Sequence, residues 1–370
     1  MNRREFASLL VTGAAGAGFA SAGMLPKEAV AAQTNPTLPA SRSAGSITDV
    51  QGLRVGHYTD KRRPTGCTVL ILDPGSVAGV DVRGGAAATS GTESLTLIHP
   101  SGETQALFLS GGSGFGLDVG TGVSRYLEAQ GRGVHLQGAV VPQVAGAIIF
   151  DLEIGDNKIR PDAEAGYQAA ISATTGPVAE GNVGAGAGAT VGKLFGNQAA
   201  MKTGLGTASL RLGDTDIYVG AMVAVNAVGD VYDPETAKIV SGARDVKNGG
   251  FLNTIQKIKQ GYGLELPAES HTNTTIGIIA TNAKLDRVQV TKVAQMAHDG
   301  MARAINPVHT LWDGDTLFAV GTGKSTVHVN HSALGAIAAE VLSTAIVRAA
   351  TQTTGIPGFP SYRDLKRKAD

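Results

Sequence analysis

An apolar run that opens on two threonines is the most informative stretch of this chain for its fold. Thr274 and Thr275 follow Asn273 and lead into the run from Ile276 to Ala280. Threonine and isoleucine are β-branched and favour strands. The stretch therefore predicts a buried strand whose first residue, Thr274, is rigidly held and carries a hydroxyl.

Strand-like and helix-like stretches alternate along the rest of the chain. Short apolar runs predict strands, and apolar positions at helical spacing predict helices. Gly213-Asp214 lies between two strands and predicts a hairpin. Residues 231–272 are polar and read as a long exposed connection to Thr274. The pattern indicates a single domain of α/β or α+β class built in layers. Strands are predicted near 50–55, 68–72, 79–83, 107–110, 138–150, 207–212, 217–226, 274–281 and 316–320, and helices near 118–129, 163–174, 285–304 and 332–350.

Composition excludes some classes of function. The 370 residues include 51 glycines, and charged residues make up only 17%. So much glycine indicates a tightly packed body in which backbone lies close to backbone. Lysine and arginine together number 31, equal to aspartate and glutamate, and aromatic residues make up 5%. A nucleic-acid partner is therefore not expected, since it would require a basic excess or stacking aromatic residues.

The N-terminal residues have the pattern of an export signal. Arg3-Arg4 precede Phe6, a Gly/Ala-rich apolar stretch follows, and Ala29-Val30-Ala31 is a small-x-small cleavage pattern. We expect residues 1–32 to be a twin-arginine signal peptide and the protein to be periplasmic or secreted. An uncleaved membrane anchor is the alternative; no membrane contact is expected once the signal is removed. Residues 33–45 are expected to be a flexible leader, 46–360 the folded domain and 361–370 a loose tail.

Several motifs that would indicate other kinds of site are incomplete or wrongly placed in this sequence. The only cysteine, Cys67, leads into an apolar run and is expected to be a buried structural thiol. The glycines from Gly111 to Gly116 do not match a dinucleotide fingerprint, and residues 321–326 do not complete a phosphate loop. His328 and His331 have no acidic ligand pattern beside them, which leaves only a weak case for a metal site. We therefore expect neither a cofactor nor a metal.

Four glycine-rich segments stand in an order that resembles a known family. Each segment is weak alone, but together they are similar to the DmpA-type aminopeptidases. That family includes β-aminopeptidases, D-/L-aminopeptidases with esterase activity and NylC-type nylon-oligomer hydrolases. The resemblance runs from about Ile47 to the helix after Ser332. The segments are Asp81 to Gly85, Leu109 to Leu117, Asn182 to Lys193 and Ala221 to Ala227.

The resemblance implies an αββα four-layer sandwich similar to N-terminal-nucleophile hydrolases and to ornithine acetyltransferases. It also implies self-cleavage between Asn273 and Thr274. The Asn-Thr pair resembles the nylon-oligomer branch, because the aminopeptidases usually have Gly-Ser there. The acidic pair Asp313 and Asp315 resembles the same branch, where aminopeptidases carry Ser-x-Glu. The family also implies a homo-oligomer of processed protomers, each made of two fragments.

Further site residues follow from the same resemblance. Asn226 matches the family's oxyanion asparagine, and Lys193 matches a lysine near the nucleophile, with Lys202 as a second candidate. Where the family often has Tyr before Asp, this chain has Phe150, which carries no phenolic hydroxyl. Substrate contacts are expected at Gly111, Gly112, Ser113 and Phe150.

Elementary chemistry is consistent with these roles. After cleavage, the α-amine of Thr274, with a reference pKa near 8, could activate its own hydroxyl. Before cleavage another base is needed, and Asp313 and Asp315, at a spacing of two, lie on one face of an extended segment. Simpler alternatives remain open for each group. Asp313 to Asp315 could form a solvated turn, Asn226 could cap a turn, Lys193 could lie at the surface, and the glycines from Gly111 could serve only packing.

The sequence thus predicts a self-processing aminopeptidase or amide hydrolase that acts on small peptides or amides through an acyl-enzyme on Thr274. One alternative is an endo-hydrolase of short aminohexanoate oligomers. Others are an acyltransferase or a non-catalytic periplasmic binding protein on the same fold. Which acyl group is accepted does not follow from the sequence.

Overall fold

A computed structural model describes residues 45–100, 102–265 and 273–366 of the chain. The predicted signal peptide and nearly all of the predicted leader lie outside the described residues. So do residues 266–272, just before the predicted cleavage point, and residues 367–370.

Two five-stranded sheets form the centre of the domain. In sheet 1 the strands lie in the order β1-β2-β5-β8-β4, and in sheet 2 in the order β11-β12-β15-β17-β3. The strands of sheet 1 are β1 (Leu53–Thr59), β2 (Gly66–Leu72), β4 (Thr89–Ser90), β5 (Ala106–Ser110) and β8 (Val144–Ile148), and those of sheet 2 are β3 (Val77–Val82), β11 (Leu205–Arg211), β12 (Tyr218–Asn226), β15 (Thr274–Thr281) and β17 (Thr316–Gly321).

Smaller sheets and the helices complete the described chain. Three short sheets pair β6 with β7, β9 with β10, and β13 with both β14 and β16. These strands are β6 (Val134–Leu136), β7 (Ala139–Val141), β9 (Thr190–Val191), β10 (Met201–Lys202), β13 (Asp230–Asp233), β14 (Lys238–Ser241) and β16 (Ile305–Asn306). The helices are α1 (Val119–Ala129), α2 (Ala163–Ile171), α3 (Thr254–Lys259), α4 (Arg287–Ala304), α5 (His331–Thr351) and α6 (Tyr362–Lys366).

The two sheets pack face to face and helices cover their outer faces. One buried cluster joins Leu70 and Leu107 of sheet 1 to Met222 and Ile278 of sheet 2. A second cluster packs α1 and α2 on sheet 1, and a third packs α4 and α5 on sheet 2. Strands such as β2 are buried along their whole length because both faces of the sheet are covered. The predicted αββα sandwich of α+β class is confirmed.

The start of β15 is the point where the elements of interest meet. All eight residues of β15 are buried, as the apolar run predicts. Its first residue, Thr274, is paired with Asn226 at the end of the antiparallel strand β12. On the other side β17 runs parallel to β15, with Thr316 opposite Ile276. The residues just before β17, including Asp315, therefore lie at the same end of the sheet as Thr274.

Small residues let α5 lie close to its neighbours. A Cβ added to Gly300 of α4 would be 2.0 Å from the carbonyl oxygen of Ala339, and one added to Gly206 of β11 would be 2.0 Å from that of Ala345. Larger side chains at these positions would push helix and sheet apart. By length and composition α5 could cross a membrane, but most of it is buried inside the protein, as in a core helix.

The predicted Gly213-Asp214 hairpin is present, with Arg211 opposite Tyr218. Two other segments differ from the sequence-based expectation. Residues 231–265, however, are not a plain exposed connection, because they contain β13, β14 and α3. The buried carboxylate of Asp230 organises them by accepting from Ala243 N–H (2.8 Å) and from the N–H and hydroxyl of Thr254 (2.6 and 2.9 Å). The segment predicted to be a loose tail begins with the short helix α6.

Candidate active site

The peptide bond between Asn273 and Thr274 is held firmly at the entrance to β15. Asn273 donates its N–H to the carbonyl of Trp312 (2.9 Å), and its own carbonyl accepts from Gly314 N–H (2.8 Å). The hydroxyl of Thr274 donates to that same carbonyl in a short hydrogen bond. Thr274 is only 4% exposed. The carbonyl of this peptide bond is thus polarised by one backbone donor and lies beside the adjacent hydroxyl.

Gly314 packs directly against the Thr274 hydroxyl. A Cβ at position 314 would lie 2.7 Å from Thr274 Oγ1 and 2.8 Å from the carbonyl oxygen of Ala86. No side chain fits there without moving the hydroxyl or the backbone. Glycine is therefore required at position 314 on steric grounds. Its N–H is the kind of fixed donor that stabilises a developing oxyanion.

If the chain cuts itself at the Asn273–Thr274 bond, as the sequence predicts, we expect Gly314→Ala to slow this cleavage by about 100-fold, because a displacement near 1 Å at a reacting group can cost that much. The measurement is the time course of fragment formation by mass spectrometry. Gly102→Ala is the control, since a Cβ there meets nothing within 4 Å. Equal cleavage rates in the two variants would contradict the close packing at Gly314.

Asp313 and Asp315 are both fully buried beside this bond. Asp313 forms an isolated parallel bridge with Asn273. Its carboxylate accepts from Thr310 Oγ1 (2.6 Å) and Val228 N–H (3.2 Å). Burial and then the charge of Asp315 raise the pKa of Asp313 to about 7, while these two hydrogen bonds and Lys193 act in the opposite direction. Asp313 can therefore exchange a proton near neutral pH.

Asp315 has a richer set of donors than Asp313. Its Oδ1 accepts from Thr275 N–H (2.8 Å). Its Oδ2 accepts from both the backbone N–H and the Nδ1 of His309, each at 2.9 Å. Donors that bond to the charged form of a carboxylate stabilise it. Within this acidic pair the negative charge is therefore best supported on Asp315.

Lys193 and Asn226 lie together at the end of β12. The Nζ of Lys193 donates to Asn226 Oδ1 (3.0 Å), which also accepts from Thr190 N–H (3.0 Å). Burial lowers the pKa of Lys193 to about 8, against the opposing charges of nearby acidic groups that include Asp313. Asn226 uses one amide hydrogen on the carbonyl of Phe150 (3.0 Å), which leaves one for another acceptor.

Lys202, the second lysine candidate, has different neighbours. Its Nζ donates to the carbonyls of Gly186 (3.0 Å) and Ala189 (3.1 Å), and in a short bond to that of Thr203. Burial lowers its pKa to about 7. Its contacts hold the third glycine-rich segment, Asn182 to Lys193, in place. Of the two lysines, it is Lys193 whose ammonium group reaches a predicted site residue.

The residues expected to contact substrate have their backbone groups engaged within the protein. Gly111 N–H donates to Gly66 O (2.9 Å), and Ser113 N–H donates to Ile149 O (3.0 Å). Gly112 N–H donates to the carboxylate of Asp151 (2.9 Å). Phe150 lies beside the site through its carbonyl, which Asn226 contacts. The Asp151 carboxylate is itself bound by Arg63 (2.6 Å) and by the Thr65 hydroxyl (2.7 Å).

The sequence interpretation missed His309 and Thr310, because neither belongs to a motif that it used. The available signal was their position six residues before Asp315 and three before Asp313, in the same loop. Nothing in that spacing matches a known ligand pattern. His309 also has a φ of +57°, which is uncommon for histidine and marks a constrained turn.

The other chemistries considered have little support. Cys67 is buried, and burial raises the pKa of its thiol, which makes it unreactive. The rings of His328 and His331 lie 6.3 Å apart at the start of α5. Among the described residues no group of three or more His, Cys, Asp or Glu side chains could hold a metal ion.

Several solved structures share this architecture. A β-aminopeptidase of Burkholderia sp. is 25% identical, with a TM-score of 0.62 over 87% of this chain and 93% of that chain. The L-aminopeptidase D-Ala-esterase/amidase of Ochrobactrum anthropi, described as a variant of the Ntn hydrolase fold, shares the fold at 20% identity, with a TM-score of 0.62 over 88% and 92%.

The chain belongs to peptidase family S58, whose model matches residues 45–362. An uncharacterised aminopeptidase of Mycobacterium tuberculosis is 39% identical over 347 residues, which cover 86% of this chain and 97% of the relative. The 6-aminohexanoate-oligomer endohydrolase of Paenarthrobacter ureafaciens is 34% identical over 314 residues, or 81% and 84%. The resemblance to DmpA-type and NylC-type enzymes is thereby confirmed, and with it the class of peptide or amide hydrolases.

Proposed function

We propose that the protein cuts its own chain between Asn273 and Thr274, and that the freed Thr274 is the nucleophile of an aminopeptidase or amide hydrolase. One observation carries this proposal. The Asn273 carbonyl lies between the N–H of Gly314 and the Thr274 hydroxyl, with the buried Asp313 alongside. A carbonyl, an adjacent hydroxyl and an oxyanion donor therefore meet at one bond, and the residue that bridges to Asn273 through its backbone carries a buried carboxyl.

Self-cleavage begins when Thr274 Oγ attacks the carbonyl carbon of Asn273. Asp313 accepts the hydroxyl proton, and the Gly314 N–H stabilises the negative oxygen of the tetrahedral intermediate. The C–N bond then breaks, and the leaving nitrogen takes up a proton to become the α-amine of Thr274. The product is an ester between Asn273 and the Thr274 oxygen. Water hydrolyses this ester, which releases Asn273 with a free carboxylate.

Catalysis then repeats the same chemistry on a substrate. The α-amine of Thr274 removes the proton from its own hydroxyl, so that no histidine base is required. The oxygen attacks the substrate carbonyl, the amine portion leaves with a proton, and the acyl group remains as an ester on Thr274. The ammonium of Lys193 donates to Asn226 Oδ1, and the amide hydrogen that Asn226 does not use on Phe150 suits the charge of the intermediate. Water completes hydrolysis.

The substrates we propose are small peptides or amides with a free amino end. Relatives named as aminopeptidases support this class. Short aminohexanoate oligomers are the second class, supported by the relatives named as 6-aminohexanoate-oligomer endohydrolases. The Asn-Thr pair and the Asp-Gly-Asp triplet favour the second class, as both are typical of that branch. We further propose that the processed protein is exported and assembles as a homo-oligomer.

Intact mass spectrometry of the purified protein tests the self-cleavage. We expect a small fragment that begins at Thr274 and contains 97 residues (370 − 273). The large fragment should end at Asn273. Release assays over aminoacyl amides and aminohexanoate oligomers, with and without an amine acceptor, then separate hydrolysis from acyl transfer. A single full-length mature chain would rule out the self-cleavage, and inactivity towards both panels would rule out the proposed substrates.

A further inference from the structure

His309 is attached to the acidic pair by two separate hydrogen bonds. Its backbone N–H and its Nδ1 both lie 2.9 Å from Asp315 Oδ2. Asp315 then reaches β15 with its other oxygen, which accepts Thr275 N–H at 2.8 Å. A continuous chain of contacts therefore runs from the His309 ring through Asp315 to the residue that follows Thr274.

The His309 ring is fixed by its surroundings and by its backbone. Its edge packs on the ring of His298 from α4, with centroids 4.7 Å apart and planes at 74°. Its backbone has a φ of +57°. Its Nε2 is buried and has no hydrogen-bond partner among the described residues, so Nδ1 makes the ring's polar contact. Since an ionised carboxylate only accepts hydrogen bonds, Nδ1 carries the hydrogen in this contact.

We propose that His309 is a positioning residue for self-cleavage. It holds Asp315 as the charged member of the acidic pair, and thereby leaves the exchangeable proton to Asp313. The inference rests on the proposed function, since it assigns His309 to the same reaction. His309 does not touch the Asn273 carbonyl or the Thr274 hydroxyl and acts only through Asp315.

The hydrogen-bond donors to the Asp315 carboxylate explain why the acidic pair needs His309 to carry its negative charge. Two of the three hydrogen bonds to the Asp315 carboxylate come from His309, and one of those comes from its side chain. Without the side-chain donor, a second negative charge on the pair is less well supported. The pair then gives up its last proton at higher pH. Loss of the His309 ring should therefore raise the pH at which self-cleavage sets in, which a change in folding alone would not do.

The other titratable groups near His309 do not account for the expected shift in the pH midpoint. His298 faces it from α4, and burial lowers the pKa of His298 to about 4, which keeps that ring neutral near pH 7. Asp81, at the end of β3, approaches His298 rather than His309 and is paired with Arg83 at 2.9 Å. Asp315 is the acidic group in direct contact with the His309 ring.

Two variants at position 309 separate a positioning role from a purely structural one. Glycine and asparagine both adopt positive φ at low cost, so the backbone and its N–H contact are retained in each. His309→Gly removes the side-chain donor. His309→Asn places an amide N–H close to the position of Nδ1. The two variants thus differ in one hydrogen bond, the side-chain bond from position 309 to Asp315.

In His309→Gly we expect self-cleavage to be slower by about 10- to 100-fold, as for the loss of a hydrogen bond to a charged group. The acidic limb of the pH profile of self-cleavage should move up by about one unit. His309→Asn should restore both the rate and the midpoint to near those of the unmodified protein. Fragment formation is measured from pH 5 to 9, with thermal unfolding as a check on folding.

The results can overturn the inference independently of the proposed function. If both variants are cut and active with an unmoved pH midpoint, His309 does not position Asp315. If both lose activity and melt early without a shift of the midpoint, its role is structural. In either case the proposed nucleophile stands, because it depends on the uncut state of Thr274 variants rather than on position 309.

Discussion

Replacing Thr274 with valine is expected to leave an uncut chain without amide hydrolase activity. Valine keeps the β-branched shape in the first position of β15, so the strand should form as before. The oxygen that attacks the Asn273 carbonyl is lost, and no α-amine is released to serve as a base. We expect the hydrolysis rate to fall by about 10⁴-fold or more. Denaturing electrophoresis and intact mass report cleavage, and amide release reports activity.

The neighbouring threonine supplies a matched control. Thr275 is also buried, and its hydroxyl has no hydrogen-bond partner among the described residues. Thr275→Val removes that hydroxyl but keeps the N–H that donates to Asp315. It should be cut and active like the unmodified protein, and Thr274→Ser should be cut more slowly but completely. Cleavage that stops in Thr275→Val and continues in Thr274→Val would place the nucleophile one residue later.

The fold followed from the sequence where local pattern and burial agree. The β-branched run after Thr274 predicted a buried strand, and the structure places it in the middle of sheet 2. Helical spacing from Val290 to Met301 predicted α4, whose apolar face packs on that sheet. These elements bury continuous apolar faces, which is the signal that a sequence displays most directly.

The remaining features depend on contacts between distant parts of the chain. Lys193 and Lys202 are both buried lysines in one region, and only the fold shows that the first reaches Asn226 and the second reaches backbone carbonyls. Residues 231–265 are ordered around the carboxylate of Asp230 by hydrogen bonds, so their sequence shows no apolar periodicity that would predict their structure. His309 contacts Asp315 through an unusual backbone turn that its residue type does not suggest. Polar contacts of this kind leave no periodic trace in a sequence.

Replacing Asp313 with asparagine is expected to remove the base while keeping the shape of the site. Asparagine Oδ1 can still accept from Val228 N–H, and the Thr310 hydroxyl can rotate to accept from the new amide. The neutral amide cannot take up the proton of the Thr274 hydroxyl as the carboxylate of Asp313 is proposed to do. Loss of a positioned base costs about 10²- to 10⁴-fold in rate, so we expect self-cleavage to slow by that factor.

The pH dependence identifies Asp313 more directly than the rate. In the unmodified protein, burial and the charge of Asp315 raise the pKa of Asp313 to about 7. The carboxylate is a base only when ionised, so self-cleavage should increase through a midpoint near pH 7. Asp313→Asn should lose this limb and keep a low rate with a weak pH dependence. Asp299→Asn, at an exposed position of α4, is the control and should retain the limb.

The same raised pKa has a consequence for stability. A carboxyl that binds its proton more tightly when folded stabilises the fold most below its unfolded pKa, near 4, and loses that contribution as the pH rises through about 7. From pH 4 to pH 8 the parent should therefore lose free energy of unfolding relative to Asp313→Asn, because only the parent carries the titrating carboxyl. Both chains would carry Thr274→Val, so that unfolding of a single uncut chain is compared. A difference that stays constant over this range would show that Asp313 does not titrate there, and would move the base to Asp315.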